Sequence, residues 1–550
     1  MDQAALQDAL APFLWPGWHR GQLFALSGVE AAVRTDYDRG LVLRTDTDPD
    51  GICVVYPAAG RLRIAAPVEA AVVSSDFLWA RTGDGLLRGA MLDAHHLLLE
   101  GPVEVLSMEA GLTVKLAGDR LLIGIAAEFR TELVTVDLDA AIAARSAWIL
   151  AQPLLARVDG LRRHTVFRAL SVMKGQVSSA EAAIPHRWTT PDRWPHKDMW
   201  LWDSVFHAIG WRHLDLPLAR EMIEAVFAGQ KPDGFVPHQM SPTRRPSGIT
   251  QPPLLAYGVH LVDALSPDTA WIASLYPKLC AYVNWDFAHR DADGDGLCEW
   301  FMEGDPHSRS GESGMDNSPR FDFHYPTPLE ATDFNAFLAL ECATLAGFAN
   351  RLGMASDAAL WQARGDRISR LINERLWSED AGLYCDYDNA REERSPVLAS
   401  AGFLPLLPGV PDLARARRML AHLSDPASFG TAFPVPSVAT GTRHYAKDMW
   451  RGPTWINLNW LIARGLETYG VQDAAFAARA AELDGASIAT IEEGCGRFST
   501  FFEYFDDRAE VDPPHLLRKG ECNPDNPFRQ VIHDYGWTAT LYLDLVARLG

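Results

Sequence analysis

The hydrophobic positions of the chain repeat with one period up to about residue 140 and with another beyond it. In the first part, short apolar runs rich in β-branched residues, such as 51–57 and 97–108, are separated at close intervals by Gly, Asp and Pro. This pattern predicts an antiparallel sandwich or half-barrel. Further strands are expected at 40–47, 62–73 and 112–118. Residues 1–140 are therefore predicted to form an N-terminal antiparallel β domain.

From residue 141 the apolar residues recur at helical spacing. Phe334, Phe337 and Leu338, for example, fall on one face of a helix. Similar segments follow one another with almost no strand pattern between them, and long loops rich in Pro, Gly, Trp and acids connect them. Helices are predicted at 161–174, 204–212, 217–229, 254–264, 269–287, 334–348, 368–376, 395–406, 411–423, 453–468, 473–484 and 529–548. Twelve helices paired as six hairpins would make an (α/α)6 toroid over 141–550, so the predicted fold class is mainly α, and functional residues are expected on the loops.

Composition excludes several classes of protein. The 550 residues carry 50 Lys and Arg against 71 Asp and Glu, a net charge of −21, which disfavours binding to nucleic acid or to a membrane surface. No apolar stretch reaches the roughly 18 residues of a membrane helix. The seven cysteines are spread along the chain without a CxxC pair, which argues against a disulfide scaffold or a zinc cluster. The N-terminus has no signal-peptide pattern, so a cytoplasmic location is expected.

Two carboxylates stand in unusual surroundings. Asp316 lies in the small-residue segment Gly311–Arg320, where a ligand could approach a tight loop closely, although such an Asp can also simply close a turn. Glu503 is flanked by four aromatic residues within 501–505. Apolar neighbours would raise the pKa of this carboxyl, which suits a tuned acid or base, and a cation such as Arg451 is expected beside it.

Trp residues are concentrated in the helical part, where 15 of the 18 lie. Trp200 and Trp202 could form an apolar wall beside Asp203, which could bind paired hydroxyls or cap the following helix. A second aromatic segment, 450–457, begins a further helix, and Gln251 offers both a donor and an acceptor to a hydroxyl group. Aromatic walls with a few polar groups suit a neutral ligand with many hydroxyls.

An acidic loop resembles the start of a calcium-binding loop. Asp291, Asp293 and Asp295 occupy the first, third and fifth positions, but Met302 stands at the twelfth, where an EF-hand needs a bidentate Glu. A calcium site that uses other ligands and a simple turn between helices both remain open.

Taken together, the motifs resemble family 63 of the glycoside hydrolases, which includes processing α-glucosidases and the mannosylglycerate and glucosylglycerate hydrolases. They occur in the same order over about 190–540, and a more distant likeness runs to the family 37 trehalases. The first 140 residues lie outside this resemblance. The motifs are WLWDS, TQPP, DADGDG, ESGMDNSPR, WRGPTW, FFEYF and GWTATL.

The resemblance implies an inverting glycosidase without a cofactor, acting on a small carbohydrate, first an α-glucoside and second an α-mannoside. It assigns Asp316 as general acid and Glu503 as general base, with their carboxyl groups about 6.5–9.5 Å apart so that a water fits between them. The substrate-binding residues that it implies are Trp200, Trp202, Asp203, Gln251, Arg320, Trp450, Arg451, Trp455, Asn457 and Trp537.

Two other classes remain open at this stage. Helical toroids also host sugar epimerases and polysaccharide lyases, and a non-catalytic sugar-binding protein could keep the same shape. The acidic balance and the presence of both Asp316 and Glu503 favour the hydrolase.

Overall fold

The structure is a computed structural model that describes residues 2–16, 21–30, 33–45, 51–64, 68–109 and 111–549. Residues 46–47 of the strand expected at 40–47, and residues 65–67 of the run 62–73, lie outside the described residues. No helix among these ranges is long and apolar enough to cross a membrane. The seven cysteines all lie in these ranges, and none of them forms a disulfide bond.

The N-terminal part consists of two antiparallel sheets, as the short apolar runs predicted. The strands are β1 Trp15–Pro16, β2 Leu23–Ala25, β3 Val42–Thr45, β4 Gly51–Tyr56, β5 Gly60–Ile64, β6 Val68–Val73, β7 Phe77–Thr82, β8 Gly85–Asp93, β9 His96–Glu100, β10 Val103–Met108, β11 Leu112–Ala117 and β12 Arg120–Ile125. A seven-stranded sheet has the order β1-β6-β7-β8-β9-β12-β11, and a five-stranded sheet has the order β10-β5-β4-β3-β2. Their facing apolar side chains form a separate hydrophobic cluster.

The rest of the described chain is mainly helical, apart from a short helix at the N-terminus. Aspartate side chains accept backbone N–H groups at the starts of several helices, including Asp137, Asp215, Asp268, Asp412 and Asp473. The helices are α1 Gln3–Leu10, α2 Leu138–Leu150, α3 Pro153–Ala156, α4 Gly160–Gln176, α5 Leu201–Trp211, α6 Leu216–Val226, α7 Leu255–Asp263, α8 Thr269–His289, α9 Thr332–Arg351, α10 Ala355–Leu371, α11 Leu413–His422, α12 Ile456–Gly470, α13 Ala474–Phe498 and α14 Gly536–Arg548.

The helices pack on one another in a continuous circuit. Helix α5 contacts α7, α7 contacts α9, α9 contacts the 3-10 segment Ser400–Leu406, this segment contacts α12, α12 contacts α14, and α14 returns to α5. Helices α4, α6, α8, α10 and α13 each contact one or two members of this circuit. The chain enters each helix of the circuit through a long loop, for example 290–331 before α9 and 499–535 before α14, and residues of these loops line one cleft.

The helix expected at 395–406 is instead a 3-10 segment that spans only Ser400–Leu406. Two further predicted helix starts were also too early. The helix expected from Pro453 begins at Ile456, because Thr454 is extended and pairs with Phe505 through two backbone hydrogen bonds of 2.8 and 3.0 Å. The helix expected from residue 529 begins at Gly536, since Tyr535 donates its N–H to the carbonyl of Phe501 at 2.9 Å. Both non-helical segments lie against the loop that carries Glu503.

The sandwich is hydrogen-bonded to the helical part. The N–H of Leu23 donates to Asp534 at 2.9 Å, and the Gln22 amide donates to the carbonyl of Ser499 at 3.0 Å. Arg168 of α4 donates to the same carboxylate and the same carbonyl, at 2.9 and 2.8 Å. The loop 499–535 is thus held by both parts of the chain.

Candidate active site

A cleft with about 800 Å³ of open space lies where the loops of the helical part converge. Both predicted catalytic carboxylates and seven of the ten predicted substrate-binding residues line it directly. The lining residues are Pro191, His196, Trp200, Trp202, Asp203, His238, Ile249, Gln251, Glu303, Ser308, Gly311, Gly314, Asp316, Met449, Trp450, Trp455, Glu503, Arg518, Tyr535 and Trp537.

Asp316 is presented to the cleft by a tight turn. The turn needs Gly314, which has a φ of 70° and whose added Cβ would lie 2.4 Å from the indole of Trp202. The carboxylate of Asp316 forms an ion pair with Lys519 at 2.8 Å, and its side chain remains 24% exposed. Desolvation raises the pKa of Asp316, but Lys519 and then Arg518 outweigh it, so the pKa lies below its ordinary value.

Glu503 is held more tightly than Asp316. It is 2% exposed, and both carboxylate oxygens accept hydrogen bonds from Arg518, at 3.0 and 3.2 Å. Burial lowers the pKa of Arg518, but the charge of Glu503 outweighs this effect and raises it. Such a bidentate pair fixes the orientation of the carboxylate. The backbone N–H of Glu503 donates to Ile532 at 3.1 Å.

Consecutive residues of one loop therefore supply a cation to each carboxylate: Arg518 contacts Glu503, and Lys519 contacts Asp316. Sequence reasoning missed both cations. It expected Arg451 beside Glu503, and this expectation was wrong. Arg451 instead pairs with Asp322 at 2.9 Å and donates to the carbonyl of Asn317 at 3.1 Å, outside the cleft lining. It supports the loop after Asp316 rather than the base.

The indoles of four Trp residues form one wall of the cleft. Trp450 and Trp455 are stacked with their centroids 3.6 Å apart, and Trp537 contacts both Trp202 and Trp455 edge-on at 5.4 and 5.7 Å. The Nε1 of Trp537 is buried and donates to no acceptor among the described residues. This wall combines a flat apolar surface with an available N–H donor.

Two polar side chains complete the inner end of the cleft. Gln251 accepts the backbone N–H of Trp202 at 3.1 Å, which leaves its amide nitrogen on the cleft side. Asp203, in the first turn of α5, is 3% exposed, and its Oδ1 has no hydrogen-bond partner in the described part of the chain. Burial, with the nearby charges of Asp192, Glu503 and Asp316, raises the pKa of Asp203 well above its ordinary value.

Two further predicted contacts are not in the cleft lining. Arg320 is 2% exposed and forms ion pairs with Asp333 and Asp386, so it braces the base of the loop that follows Asp316. Asn457 is buried in the first turn of α12 and does not line the cleft either. Arg320 belongs to one of the predicted motifs and Asn457 follows another closely, but both side chains are buried in the protein and not in the cleft lining.

The sequence analysis also missed side chains at the outer part of the cleft. His196 and His238 lie beside Trp200, and each ring is fixed by a hydrogen bond, to Asp192 at 2.5 Å and to Ser247 at 2.7 Å. Burial lowers the pKa of His238 to about 4, so this imidazole is neutral at neutral pH. The three Trp within nine residues at 194–202 were a signal for this wall, but no pattern marked the histidines as its neighbours.

Two acidic side chains in an indole-walled cleft at the centre of a helical circuit are typical of a glycoside hydrolase. The family model for the mannosylglycerate hydrolase MGH1-like glycoside hydrolase domain matches residues 195–538. The chain belongs to this family, within family 63 of the glycoside hydrolases, and is a glycoside hydrolase. A mannosylglycerate hydrolase from Thermus thermophilus is 30% identical over 403 residues, which cover 58% of this chain and 91% of that protein.

Solved structures agree with this relationship. The family 63 mannosylglycerate hydrolase of Thermus thermophilus in complex with Tris and D-glycerate matches with a TM-score of 0.56 and 27% identity, covering 69% of this chain and 99% of that one. A bacterial glucoamylase, 11% identical, shares the fold over 98% of this chain with a TM-score of 0.60. The distant trehalase likeness is confirmed by a periplasmic trehalase of Salmonella, 29% identical over 166 residues, or 29% of this chain and 27% of that enzyme.

Proposed function

We propose that the protein hydrolyses an α-glycosidic bond with inversion, with Asp316 as general acid and Glu503 as general base. The observation that carries this proposal is that both carboxylates line one cleft and are held by consecutive cations. An inverting enzyme protonates the leaving oxygen from one side of the sugar and activates a water on the other. Glu503 suits the base, because Arg518 donates to both of its carboxylate oxygens and fixes its position.

Asp316 must gain a proton before it can act as an acid. The ion pair with Lys519 keeps the pKa of this carboxyl low. A leaving group that carries a carboxylate would compete with Asp316 for the Lys519 ammonium. Loss of that contact would let the cleft environment raise the pKa of Asp316, because desolvation favours the neutral acid. Substrate binding would in this way protonate the acid only when a leaving group is present.

This coupling favours an α-glycoside of glycerate as the substrate, with the mannoside first and the glucoside second. The matching family model and the Thermus thermophilus relative, both described as mannosylglycerate hydrolases, support this choice over the neutral α-glucoside that the motifs first suggested. Lys519 supplies a cation at the position where a glycerate carboxylate would lie next to the scissile oxygen. We place the glycerate at the outer part of the cleft, beside Lys519.

The sugar ring is proposed to occupy the inner end of the cleft. Trp202, Trp450 and Trp537 would cover its apolar faces, while the Nε1 of Trp537 and the amide of Gln251 would donate to its hydroxyls. Asp203, whose Oδ1 is otherwise unpartnered, would exchange hydrogen bonds with a pair of hydroxyls. A buried polar group that finds a partner only in the substrate contributes strongly to selectivity.

We also propose that the helices close into an (α/α)6 toroid with the cleft at its centre and that the chain divides into domains 1–140 and 141–550. The closed packing circuit from α5 through α14 supports the toroid. The separate hydrophobic cluster of the sandwich, and the passage from β12 to α2 between residues 125 and 138, support the division. The sandwich would then support the catalytic loops from outside.

The proposal is tested with a panel of α-linked substrates followed by proton NMR. Mannosylglycerate, glucosylglycerate, their methyl esters, trehalose and maltose are compared, and we expect the free glycerates to be cleaved fastest. The methyl esters separate recognition of the carboxylate from recognition of the sugar. The first sugar released from an α-glycoside should be the β-anomer. Release of the α-anomer first would refute inversion, and equal cleavage of ester and acid would refute the role of Lys519.

A further inference from the structure

The two cations of the cleft lie on a tight turn of the long loop 499–535. Arg518 and Glu521 exchange two backbone hydrogen bonds, at 2.7 and 3.3 Å, and Lys519 and Gly520 are the two residues between them. Both of these residues have a positive φ, of 56° and 84°. This is the geometry of a two-residue hairpin turn whose central residues both need a positive φ. The backbone of this turn therefore decides where both cations lie.

Lys519 is an unusual residue for the first central position of such a turn. A positive φ favours Gly or Asn, because the Cβ of other residues is crowded there, and it persists only where the surrounding structure holds it. Part of that support comes from the backbone before the turn. The N–H of Leu517 donates to the carbonyl of Lys447, and its carbonyl accepts the N–H of Met449, both at 3.2 Å. Arg529 also donates to the carbonyl of Lys519 at 2.8 Å.

Asp448 supports the turn itself through its side chain. Its Oδ2 accepts the N–H of Gly520 at 3.0 Å, and the residue is buried. Burial raises the pKa of Asp448, while the N–H groups of Gly520 and Lys519 oppose this change. A parallel bridge to Leu517 fixes the backbone of Asp448 beside the turn. A buried carboxylate therefore holds the turn at its second positive-φ residue.

The segment that carries Asp448 also contacts the loop of Asp316. The N–H of Trp450 donates to the side-chain oxygen of Asn317 at 3.0 Å, and Arg451 donates to the carbonyl of Asn317 at 3.1 Å. Asn317 directly follows Asp316 in the chain. This segment therefore joins the acid to the turn that supplies its cation.

The same tetrapeptide occurs a second time in the chain and has a similar place. Residues 197–200 and 447–450 both read KDMW, and the Trp of each copy lines the cleft. In the first copy Asp198 accepts a hydrogen bond from the amide of Gln239 at 2.5 Å, next to His238, which lines the cleft. In both copies the Asp side chain therefore holds a neighbouring loop that supplies a lining residue.

We propose that Asp448 is a positioning residue for the reaction, which sets both cations of the turn against the two cleft carboxylates. This inference rests on the proposed function, because it takes the roles of those carboxylates from it. Asp448 does not line the cleft, so it acts through the turn and not on the substrate. Displacement of the turn moves both cations together, and a misplacement of about 1 Å can lower a rate about a hundredfold.

The test measures both the turn and the acid in Asp448→Asn. The amide keeps the size of the side chain but removes its charge and one acceptor oxygen. We expect faster hydrogen exchange in the peptide 517–522, measured by mass spectrometry, because the N–H of Gly520 loses its carboxylate. With Lys519 held less well, the pKa of Asp316 should rise, and the alkaline limb of kcat/KM should move to higher pH. At the same time kcat should fall roughly ten- to hundredfold.

The other titratable groups around Asp316 keep their places in this variant. They are Glu303, Asp203 and His238. Among the described residues, no hydrogen bond joins any of them to Asp448 or to the turn. A shift of the alkaline limb therefore reports on the cations of the turn.

Gly520→Ala is the second variant, and it changes the turn while Asp448 stays in place. A Cβ added at this glycine meets only the ring of His307, at an ordinary distance of 3.4 Å, so the strain comes from the φ of 84°. This variant should speed exchange in the peptide 517–522 and shift the alkaline limb in the same direction as Asp448→Asn. It keeps the inference testable if the buried Asn variant does not fold.

Asp268→Asn is the matched control. Asp268 accepts the N–H groups of Ala270 and Trp271, both at 3.0 Å, at the start of α8, and it does not line the cleft. It therefore loses a carboxylate that holds backbone N–H groups elsewhere in the fold. Exchange in the peptide 517–522 and the pH profile should both match those of the wild type.

Two results would overturn the inference. The first is unchanged exchange in the peptide 517–522 of Asp448→Asn, which would show that this carboxylate does not hold the turn. The second is faster exchange with an alkaline limb that stays at the wild-type pH. Failure of the proposed function would be seen differently, as near-normal turnover in Asp316→Asn, a variant in which Asp448 is intact.

Discussion

The two carboxylates of the cleft lie in contrasting surroundings. Glu503 is fully buried and held by two hydrogen bonds from one guanidinium, whereas Asp316 is partly exposed and held by a single ammonium on a flexible side chain. A bidentate Arg pair fixes the orientation of a carboxylate, while a Lys contact can be exchanged for another anion at low cost. The difference suits a base that is held in one orientation and an acid whose cation can move to another anion.

The largest expected effect comes from removing either carboxylate. Glu503→Gln and Asp316→Asn should each lower kcat by about a thousandfold or more, since general acid and base groups each contribute about 10²–10⁴-fold. Both variants should keep the wild-type fold, as measured by circular dichroism. Glu510→Gln and Asp322→Asn are the matched controls, because these carboxylates pair with Lys447 and Arg451 outside the cleft. Near-normal turnover in either cleft variant would remove that residue from the mechanism.

A smaller effect is expected for Lys519→Met, and it is measured as a shift in the pH profile of kcat/KM. Lys519 lowers the pKa of Asp316, so its loss should raise that pKa. The acid works only when protonated, so a higher pKa extends the active range upwards, and the alkaline limb of kcat/KM should shift to higher pH. At the same time KM for a glycerate substrate should rise, because its carboxylate loses a cation.

Lys447→Met is the control for this experiment, since Lys447 pairs with Asp506 and Glu510 and does not line the cleft. Its pH profile should match that of the wild type. An unchanged alkaline limb in Lys519→Met would show that the ammonium does not control the protonation of Asp316, and the contrast between the two carboxylates would lose its mechanistic meaning.

The smallest effect is expected from Trp537→Phe. This change keeps an aromatic ring in the wall but removes the unpartnered Nε1 donor. The loss of one hydrogen bond of about 1 kcal/mol corresponds to a roughly fivefold higher KM. Trp361→Phe removes an indole N–H that donates to Tyr276 away from the cleft, and should leave KM unchanged. Identical KM values for the two variants would place the sugar elsewhere in the cleft.

Sequence analysis predicted the side chains that differ from their surroundings in type. A lone carboxylate among four aromatics, at Glu503, and a dense Trp segment near Trp200 stand out without any structure. The ion pairs could not be predicted in this way. Arg451 and Arg518 both lie within tens of residues of Glu503, and only the packing of the loop 499–535 decides which guanidinium reaches the carboxylate.

The same limit explains the contacts that the sequence placed wrongly in the cleft. Arg320 and Asn457 belong to motifs that do line it, but the direction of a side chain depends on which neighbours pack against its backbone. The acidic loop 291–299 shows the opposite case. Its local pattern contains no information about Glu330, which lies on a distant segment but close to Asp293 and Glu299 in the structure.

The hydrogen bonds of Gln22 and Leu23 to Ser499 and Asp534 have a consequence for how this enzyme can be shortened. A chain shortened by its sandwich would lose one donor to the Asp534 carboxylate and one donor to the Ser499 carbonyl. These two acceptors lie near the two ends of the segment 499–535, which carries Glu503. The sandwich therefore helps to hold the loop that carries Glu503, and a shortened chain would need new donors at these two positions.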